Sequence, residues 1–499
     1  MKTMLPLVAA CALLVTSARA QNITFTPTDR TVPFPAHSFI QGDINRDGIP
    51  DFLGVSPGSQ LYAFKSDGIG NYVPWVIPTA YCPASPLAFG DFAHNWKNDL
   101  LVSTIAGAAC SGGQTGSFSD YLNNGFGKFL QSKQVPLTSS AALAAVTADF
   151  TGDKKLDAVV LDGNNLELFS GDGQGGFTGP SQIATLTGSA ASQTGGFYNV
   201  IAGDYDGNGC PDVAWLEREA SANLEQVHVA YGDCAGGFTI GTPYAIAGQI
   251  DNIQTTDLDR DGVSDIVGTV DAFGGGANGP TLGIAYGQRD RTFILKLIGD
   301  PSLTGPLAAA DFNGDGYPDI AYISTSASGS EIKILQGDPT QSFAGISTYP
   351  LPDANGTPEQ FAFGDYNRDG KMDLALLSTG TSGSPVFTIL TNTSAYPGGA
   401  CVVPILPGVH VCSPGRISGP TVNVLAAGKS VDPAVFMELW VDGVKQVQYG
   451  STSEMRATLD LTPGWHRLGF YAIDAAAIRA HEVRYVFVLP AIQPLSDRK

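Results

Sequence analysis

The chain has 499 residues, 43% hydrophobic and 15% charged, with 61 glycines and 32 prolines. That length holds two or three cores, and the glycine, proline, valine, threonine and aromatic usage favours short strands joined by tight turns, an all-β chain. A formal charge of −20, from 27 basic and 47 acidic side chains, argues against nucleic acid and anionic membrane surfaces as partners.

Residues 1–20 read as a secretory signal peptide: Lys2, the apolar run LPLVAACALLV, and ARA ahead of Gln21. No other stretch approaches the roughly 18 to 20 apolar residues of a membrane helix. The mature chain is therefore expected to be exported, extracellular or periplasmic, with no membrane insertion. Cysteine usage fits an oxidising compartment. With Cys11 inside the signal, the others fall into three sequence-local pairs: Cys82 with Cys110, Cys210 with Cys234, and Cys401 with Cys412. None has the CxxC spacing of a zinc site.

From residue 42 an acidic decapeptide recurs. The strong copies are GDINRDGIPD (42–51), GDYDGNGCPD (203–212), TDLDRDGVSD (256–265), ADFNGDGYPD (310–319) and GDYNRDGKMD (364–373). GDFAHNWKND (90–99) and ADFTGDKKLD (148–157) are weaker. The leading aspartates stand at 43, 91, 149, 204, 257, 311 and 365, a period that marks a repeat architecture.

Each strong copy reads D-x-[DN]-x-[DN]-G-x-x-D. Oxygens at positions 1, 3 and 5 can wrap a hard cation, the position-7 carbonyl faces inward, and the position-9 aspartate closes the shell. The ligand sets are Asp43, Asn45, Asp47, Ile49 and Asp51; Asp204, Asp206, Asn208, Cys210 and Asp212; Asp257, Asp259, Asp261, Val263 and Asp265; Asp311, Asn313, Asp315, Tyr317 and Asp319; and Asp365, Asn367, Asp369, Lys371 and Asp373. The motif opens like an EF-hand loop but lacks its twelfth-position Glu and runs into a strand. All-oxygen donors in a flexible loop favour calcium over magnesium or zinc, and about five ions are expected. The alternative for such residues is plain Asx-turn chemistry. The copy at 149 keeps Asp149, Asp153 and Asp157 but has Thr151 and Lys154 at positions 3 and 6, so it is a weak candidate. The copy at 91, with Ala93 at position 3, is expected to hold no metal.

Each repeat reads as four strands, as in PLAAADF, DIAYIST, EIKILQGD and FAGISTYPLP of the sixth. Four-stranded sheets repeated seven times around an axis form a β-propeller. The last repeat lacks a fourth strand, and the orphan segment NITFTPTDRTVPF (22–34) is expected to complete it and close the ring.

These loops and strands resemble the FG-GAP or VCBS-type repeats of integrin α-subunit propellers and of many secreted bacterial proteins. The resemblance covers residues 21–396. It implies a seven-bladed β-propeller whose calcium loops join the first and second strands of a blade, with ligands bound on the opposite face. In that topology Cys210 and Cys234 share one end of a blade and Cys82 and Cys110 share the other, so disulfides Cys82–Cys110, Cys210–Cys234 and Cys401–Cys412 are expected.

Residues 397–415 read as a Pro/Gly-rich linker holding Cys401 and Cys412. From 416 to 499 the calcium motif stops and alternating segments such as MELWVDGVKQVQYG and GWHRLGFYAID suggest a small immunoglobulin-like β-sandwich. There is no HExxH, no GxSxG elbow and no phosphate loop. The functional expectation is a monomeric, non-enzymatic adhesion or protein-binding module with an extracellular protein or glycan ligand. The alternatives are a lectin-type propeller and, further off, a hydrolase or lyase working on the propeller face.

Overall fold

The computed structural model describes residues 23–31, 39–42, 44–45, 50–56, 59–66, 72–79, 83–95, 97–104, 116–139, 142–153, 155–187, 189–190, 200–219, 224–246, 249–259, 261, 263–271, 281–310, 312–313, 317–326, 329–338, 340–351, 357–364, 366–367, 371–379, 385–394, 408–411, 416–418, 421–429, 436–441, 444–450, 454–461, 464–473 and 479–489. Its regular elements, among the described residues, are all strands.

β1 (Phe25–Thr31) comes first. The first sheet holds β2 (Ile40–Gly42), β3 (Asp51–Val55), β4 (Leu61–Ser66) and β5 (Tyr72–Ile77). The second holds β6 (Pro83–Gly90), β7 (Asp99–Thr104), β8 (Ser117–Asn123) and β9 (Phe129–Pro136). The third holds β10 (Ala142–Ala148), β11 (Asp157–Asp162), β12 (Asn165–Gly171) and β13 (Phe177–Thr185). In all three the strands lie antiparallel in chain order.

The fourth sheet is built the same way but with two broken strands. β14 (Ser189–Ala190) and β15 (Val200–Gly203) both pair with β16 (Asp212–Glu219). β18 (Phe238–Ile240) and β19 (Tyr244–Ile246) share the far side of β17 (Leu224–Gly232). The outer break falls at GTP, 241–243, where the Gly241 amide donates to the Val229 carbonyl and Pro243 has no amide to offer the ladder.

The fifth sheet is β20 (Gln249–Thr256), β21 (Asp265–Asp271), β22 (Thr281–Gly287) and β23 (Phe293–Gly299). The sixth is β24 (Leu303–Ala310), β25 (Asp319–Ser326), β26 (Gly329–Gln336) and β27 (Gly345–Pro350). The seventh is β28 (Thr357–Gly364), β29 (Asp373–Thr379) and β30 (Pro385–Asn392). Its fourth strand is β1, which pairs with β30 from Phe25↔Asn392 to Thr31↔Val386.

The second strand of each sheet is buried almost throughout because each sheet is covered by the sheet before it and the sheet after it, whereas outer strands such as β5 and β13 are largely exposed. Ile44, Leu53 and Leu61 of the first sheet pack with Leu100 and Tyr121 of the second. Equivalent clusters join each later pair of neighbours. One more cluster closes the circle, with Phe39 and Phe52 of the first sheet against Leu377 and Phe387 of the seventh. Polar stitches reinforce that closure: Gln41 Nε2 donates to the Phe363 carbonyl, and the Phe39 amide donates to Gln360 Oε1.

One core position departs from the pattern. Three residues before the end of the third strand stand Ala63, Leu168, Val229, Ile284 and Ile389, and two before it in the sixth sheet stands Ile334, all buried. In the second sheet the same place is held by Asp120, 1% exposed. Neither of its oxygens has a hydrogen-bond partner of normal geometry among the described residues. It lies under Gly175 of the third sheet, whose backbone is so close that any side chain there would strike the carboxylate. Burial, then the charges of Asp99 and Asp172, push its pKa up to about 8.

The C-terminal strands form two further sheets. One is ordered β31 (Gly408–Val411), β33 (Thr421–Lys429), β36 (Glu454–Asp460). The other is ordered β32 (Arg416–Ser418), β38 (Arg479–Leu489), β37 (Gly464–Ile473), β34 (Phe436–Val441), β35 (Val444–Gly450). They share one core, including Val411, Val424, Met437, Leu439, Met455 and Phe470. This corrects the linker read at 397–415. Its stretch GVHV pairs with 426–429 and buries Val411, so the sandwich draws its first strand from before residue 416. Four alternating residues set among Pro and Gly were too short a pattern to register as a strand.

Candidate metal centres in the acidic loops

In all seven sheets eight residues separate the first strand from the second, as between Gly203 and Asp212. Two features of this loop repeat around the ring. Position 2 is a large apolar residue driven into the core: Ile44, Phe92, Phe150, Tyr205, Leu258, Phe312 and Tyr366 are each 2% exposed or less. Each joins the cluster shared with the following sheet. Position 9 is a fully buried aspartate: Asp51, Asp99, Asp157, Asp212, Asp265, Asp319 and Asp373.

That aspartate is a backbone clamp. Asp212 accepts the Tyr205 amide on Oδ2 at 2.7 Å and the Gly232 amide on Oδ1 at 2.8 Å, so one carboxylate ties the loop to the end of the third strand. The pairs recur for Asp51 (Ile44, Ser66), Asp265 (Leu258, Gly287), Asp319 (Phe312, Gly337) and Asp373 (Tyr366, Asn392). In the two weak loops the loop donor moves to position 3, Ala93 to Asp99 and Thr151 to Asp157, while Asn123 and Gly171 keep the other oxygen. The expectation gave position 9 only as a ligand. It is also a clamp, and the plug at position 2 is signalled only by the apolar residue that follows the first aspartate in every copy.

The fourth and fifth loops bring ligand candidates together. Asp204, Asp206 and Asp212 each offer an oxygen within 4.8 Å of the others, as do Asp257, Asp259 and Asp265. Burial, opposed by backbone donors and reinforced by the neighbouring aspartates, pushes Asp212 and Asp265 up to about 8. Asp204 and Asp259 are raised for the same first reason. Buried like charges of this kind fit a hard dication, which takes carboxylate oxygens and removes the repulsion. Asp206, Asp204 and Asp212 would hold it in the fourth loop, and Asp257, Asp259 and Asp265 in the fifth.

The other predicted ligands sit around these sets. Asn208 donates its side-chain amide to Asp206 Oδ2 and to the Gly232 carbonyl, and Asp261 is exposed. Cys210 and Val263 meet their loops through amides that donate to Asn208 Oδ1 and Asp261 Oδ1. Asn45 donates to the Ser66 carbonyl, and buried Asn313 to Asp319. Tyr317, Asn367 and Lys371 lie in their loops. Asp43, Asp47, Ile49, Asp311, Asp315, Asp365 and Asp369 fall outside the described residues.

The two weak loops are neutralised differently. Their leading aspartates form Asx-type turns, Asp91 accepting the Asn95 amide and Asp149 the Asp153 amide, as Asp204 and Asp257 do in the strong loops. In the third loop Lys155 Nζ lies 2.8 Å from Asp153 Oδ2. Burial, weaker here than in the fourth and fifth loops, lifts Asp99 and Asp157 to about 6.

Groups from the next sheet interlock with the loops. The Gly175 amide donates to the Phe92 carbonyl and the Gly236 amide to that of Phe150. Asn123 and Asn392 reach the Ile44 and Phe312 carbonyls with their side chains. Within the fourth sheet a disulfide joins Cys210 to Cys234, Cα atoms 5.1 Å apart. Cys82, Cys110, Cys401 and Cys412 lie outside the described residues.

A family model for the FG-GAP-like repeat matches residues 149–215 and 311–376. The chain carries FG-GAP-like repeats. Both matched spans run from a leading aspartate through the rest of that sheet and the next acidic loop into the second strand of the following sheet. No curated protein sequence matches the chain. Solved structures similar to this chain include an Agrocybe aegerita lectin, described as recognising non-reducing terminal N-acetylglucosamine. It is 17% identical, with 63% of this chain and 80% of that one covered and a TM-score of 0.43. BBS1N, solved in complex with ARL6DN, is 9% identical over 74% of this chain and 98% of its own, TM-score 0.49. The extracellular domain of a hybrid two-component system from B. thetaiotaomicron is 10% identical over 94% of this chain and 59% of its own, TM-score 0.39.

Proposed function

We propose that the FG-GAP-like region is a seven-bladed, calcium-stiffened propeller of an exported protein, serving as a non-enzymatic protein-binding or adhesion module with an immunoglobulin-like sandwich appended. The observation that carries this reading is the contrast between the two ends of the ring. At the acidic end every first-to-second connection has the same length and the same plug and clamp. At the other end the second-to-third connections run from two residues, between Asp162 and Asn165, to twelve, between Thr104 and Ser117. Uniform connections serve the scaffold, whereas connections free to differ are where binding specificity resides. Calcium then acts by holding the uniform end, and the ligand meets the other.

The test has two arms. Metal analysis of the mature chain after dialysis in calcium should give about five ions, at the micromolar to millimolar affinities of extracellular modules. Fewer than three would defeat the calcium part. Shortening 105–115 and 272–280 to tight turns should abolish capture of the native surface partner with melting unchanged. Asp265→Ala should lower the melting temperature and leave affinity within about threefold. The opposite pattern would place the ligand on the calcium end.

A further inference from the structure

The fifth residue of the third-to-fourth turn varies in step with the loop that the turn covers. Where position 3 of the preceding loop carries no charge, this residue is glycine: Gly127 over Asn45, Gly175 over Ala93 and Gly236 over Thr151. Where position 3 is aspartate, it carries a side chain: Arg291 over Asp206 and Gln341 over Asp259. All five stand in the left-handed region, with φ of 75° at Gly127, 77° at Gly175, 81° at Gly236, 67° at Arg291 and 56° at Gln341. Glycine adopts that conformation freely, while other residues are strained there. Two turns thus keep strained residues where their sisters keep glycine.

Both side chains reach the aspartate below. Arg291 Nε donates to Asp206 Oδ2 at 2.9 Å, with Asp206 only 5% exposed. The guanidinium also lies 4.7 Å from the centre of the Tyr231 ring, and the Tyr231 hydroxyl donates to the Arg291 carbonyl. Gln341 Nε2 donates to Asp259 Oδ2 at 2.8 Å. The fourth loop therefore receives a full positive charge from the next sheet. The fifth, with four aspartates, receives a neutral amide from the next sheet, and Arg289 meets both loops only at backbone carbonyls, those of Gly207 and Asp261.

We propose that Arg291 is an intramolecular counter-ion of the fourth acidic loop, holding that site at a lower calcium affinity than the fifth and tying calcium entry to the contact between the fourth and fifth sheets. A fixed guanidinium on one ligand carboxylate opposes a dication by charge alone, and by occupying Oδ2 it removes a donor that the ion would use. The inference rests on the calcium reading above.

Calcium titration calorimetry on the mature chain tests it. Arg291→Gln should strengthen one site by about tenfold, allowing for the partial exposure of the arginine, and Asp204→Ala in the same background should remove that gain. Gln341→Arg should weaken one site by a similar factor. If the wild-type chain binds its calcium and Arg291→Gln leaves every affinity unchanged or lowers one, the counter-ion role is wrong while the calcium reading stands. If neither protein binds calcium, both fall.

Discussion

The third and fourth acidic loops are neighbours of equal length, each with a buried aromatic plug at position 2 and an aspartate clamp at position 9, yet they neutralise charge by different means. The third answers one carboxylate with its own Lys155. The fourth gathers three carboxylates within 4.8 Å and takes Arg291 from the next sheet. The motif therefore has two separable jobs. Positions 2 and 9 fold the loop, and do so in loops without the full ligand set. Positions 1 and 3, together with position 9, gather the carboxylates of the fourth and fifth loops.

Chelation should separate the two loops most. Each site loaded at a hundred times its dissociation constant contributes about 2.7 kcal/mol, so EDTA should lower the urea midpoint markedly. Hydrogen exchange should then rise at 204–212 and 257–265 and stay level at 149–157. Equal loss of protection in all three loops would erase the distinction between them.

The clamp should ignore that distinction. In EDTA, Asp157→Ala and Asp212→Ala should each cost about 2–4 kcal/mol, because both strip an acceptor from two buried amides. A silent Asp157→Ala would show that the third loop does not depend on its clamp.

A smaller effect is expected at the interface between the second and third sheets, where Asp120 stands in place of an aliphatic residue. Its folded pKa, about 8, lies above the ordinary 3.8, so the folded state binds this proton more tightly than the unfolded state does. Its contribution favours folding at low pH, is progressively lost as pH rises from about 4 to about 8, and is flat beyond. Asp120→Asn, of equal size, should reduce the fall in stability across that window, seen by urea titration at pH 5 and pH 8. An unchanged slope would mean the carboxylate has company that lets it ionise freely. The smallest effect belongs to Lys155→Gln, which should move the melting temperature by less than about 2 °C, as exposed ion pairs do, and add no calcium site while Thr151 holds position 3.

The sequence displayed what is local and repeated. Acidic decapeptides and strand runs could be read along the chain, and Cys210 with Cys234 followed from the topology that the family resemblance implies. What escaped depends on neighbours distant in sequence. Arg291 meets Asp206 across 85 positions, and nothing in RDR marks it as more than a polar turn. Asp120 sits in SFSDYLN, where an acid in a strand reads as solvent-facing until the next sheet covers it. Position 9 looked like a ligand because carboxylate spacing cannot reveal that two amides already point at it. The first strand of the C-terminal sandwich was hidden by its length.

The pairing of β1 with β30 has a consequence for assembly. These strands lie at opposite ends of the repeat array, so β1 leaves the ribosome long before its partner and the ring stays open until the seventh sheet is made. The entropy of joining such distant segments grows only slowly with separation, but the contact forms late because it is so non-local. Until then β30 presents an unpaired edge, and the seven register pairs it offers can be met equally by the β1 of another molecule. Dilution during refolding favours the closed monomer, and crowding favours strand-exchanged pairs.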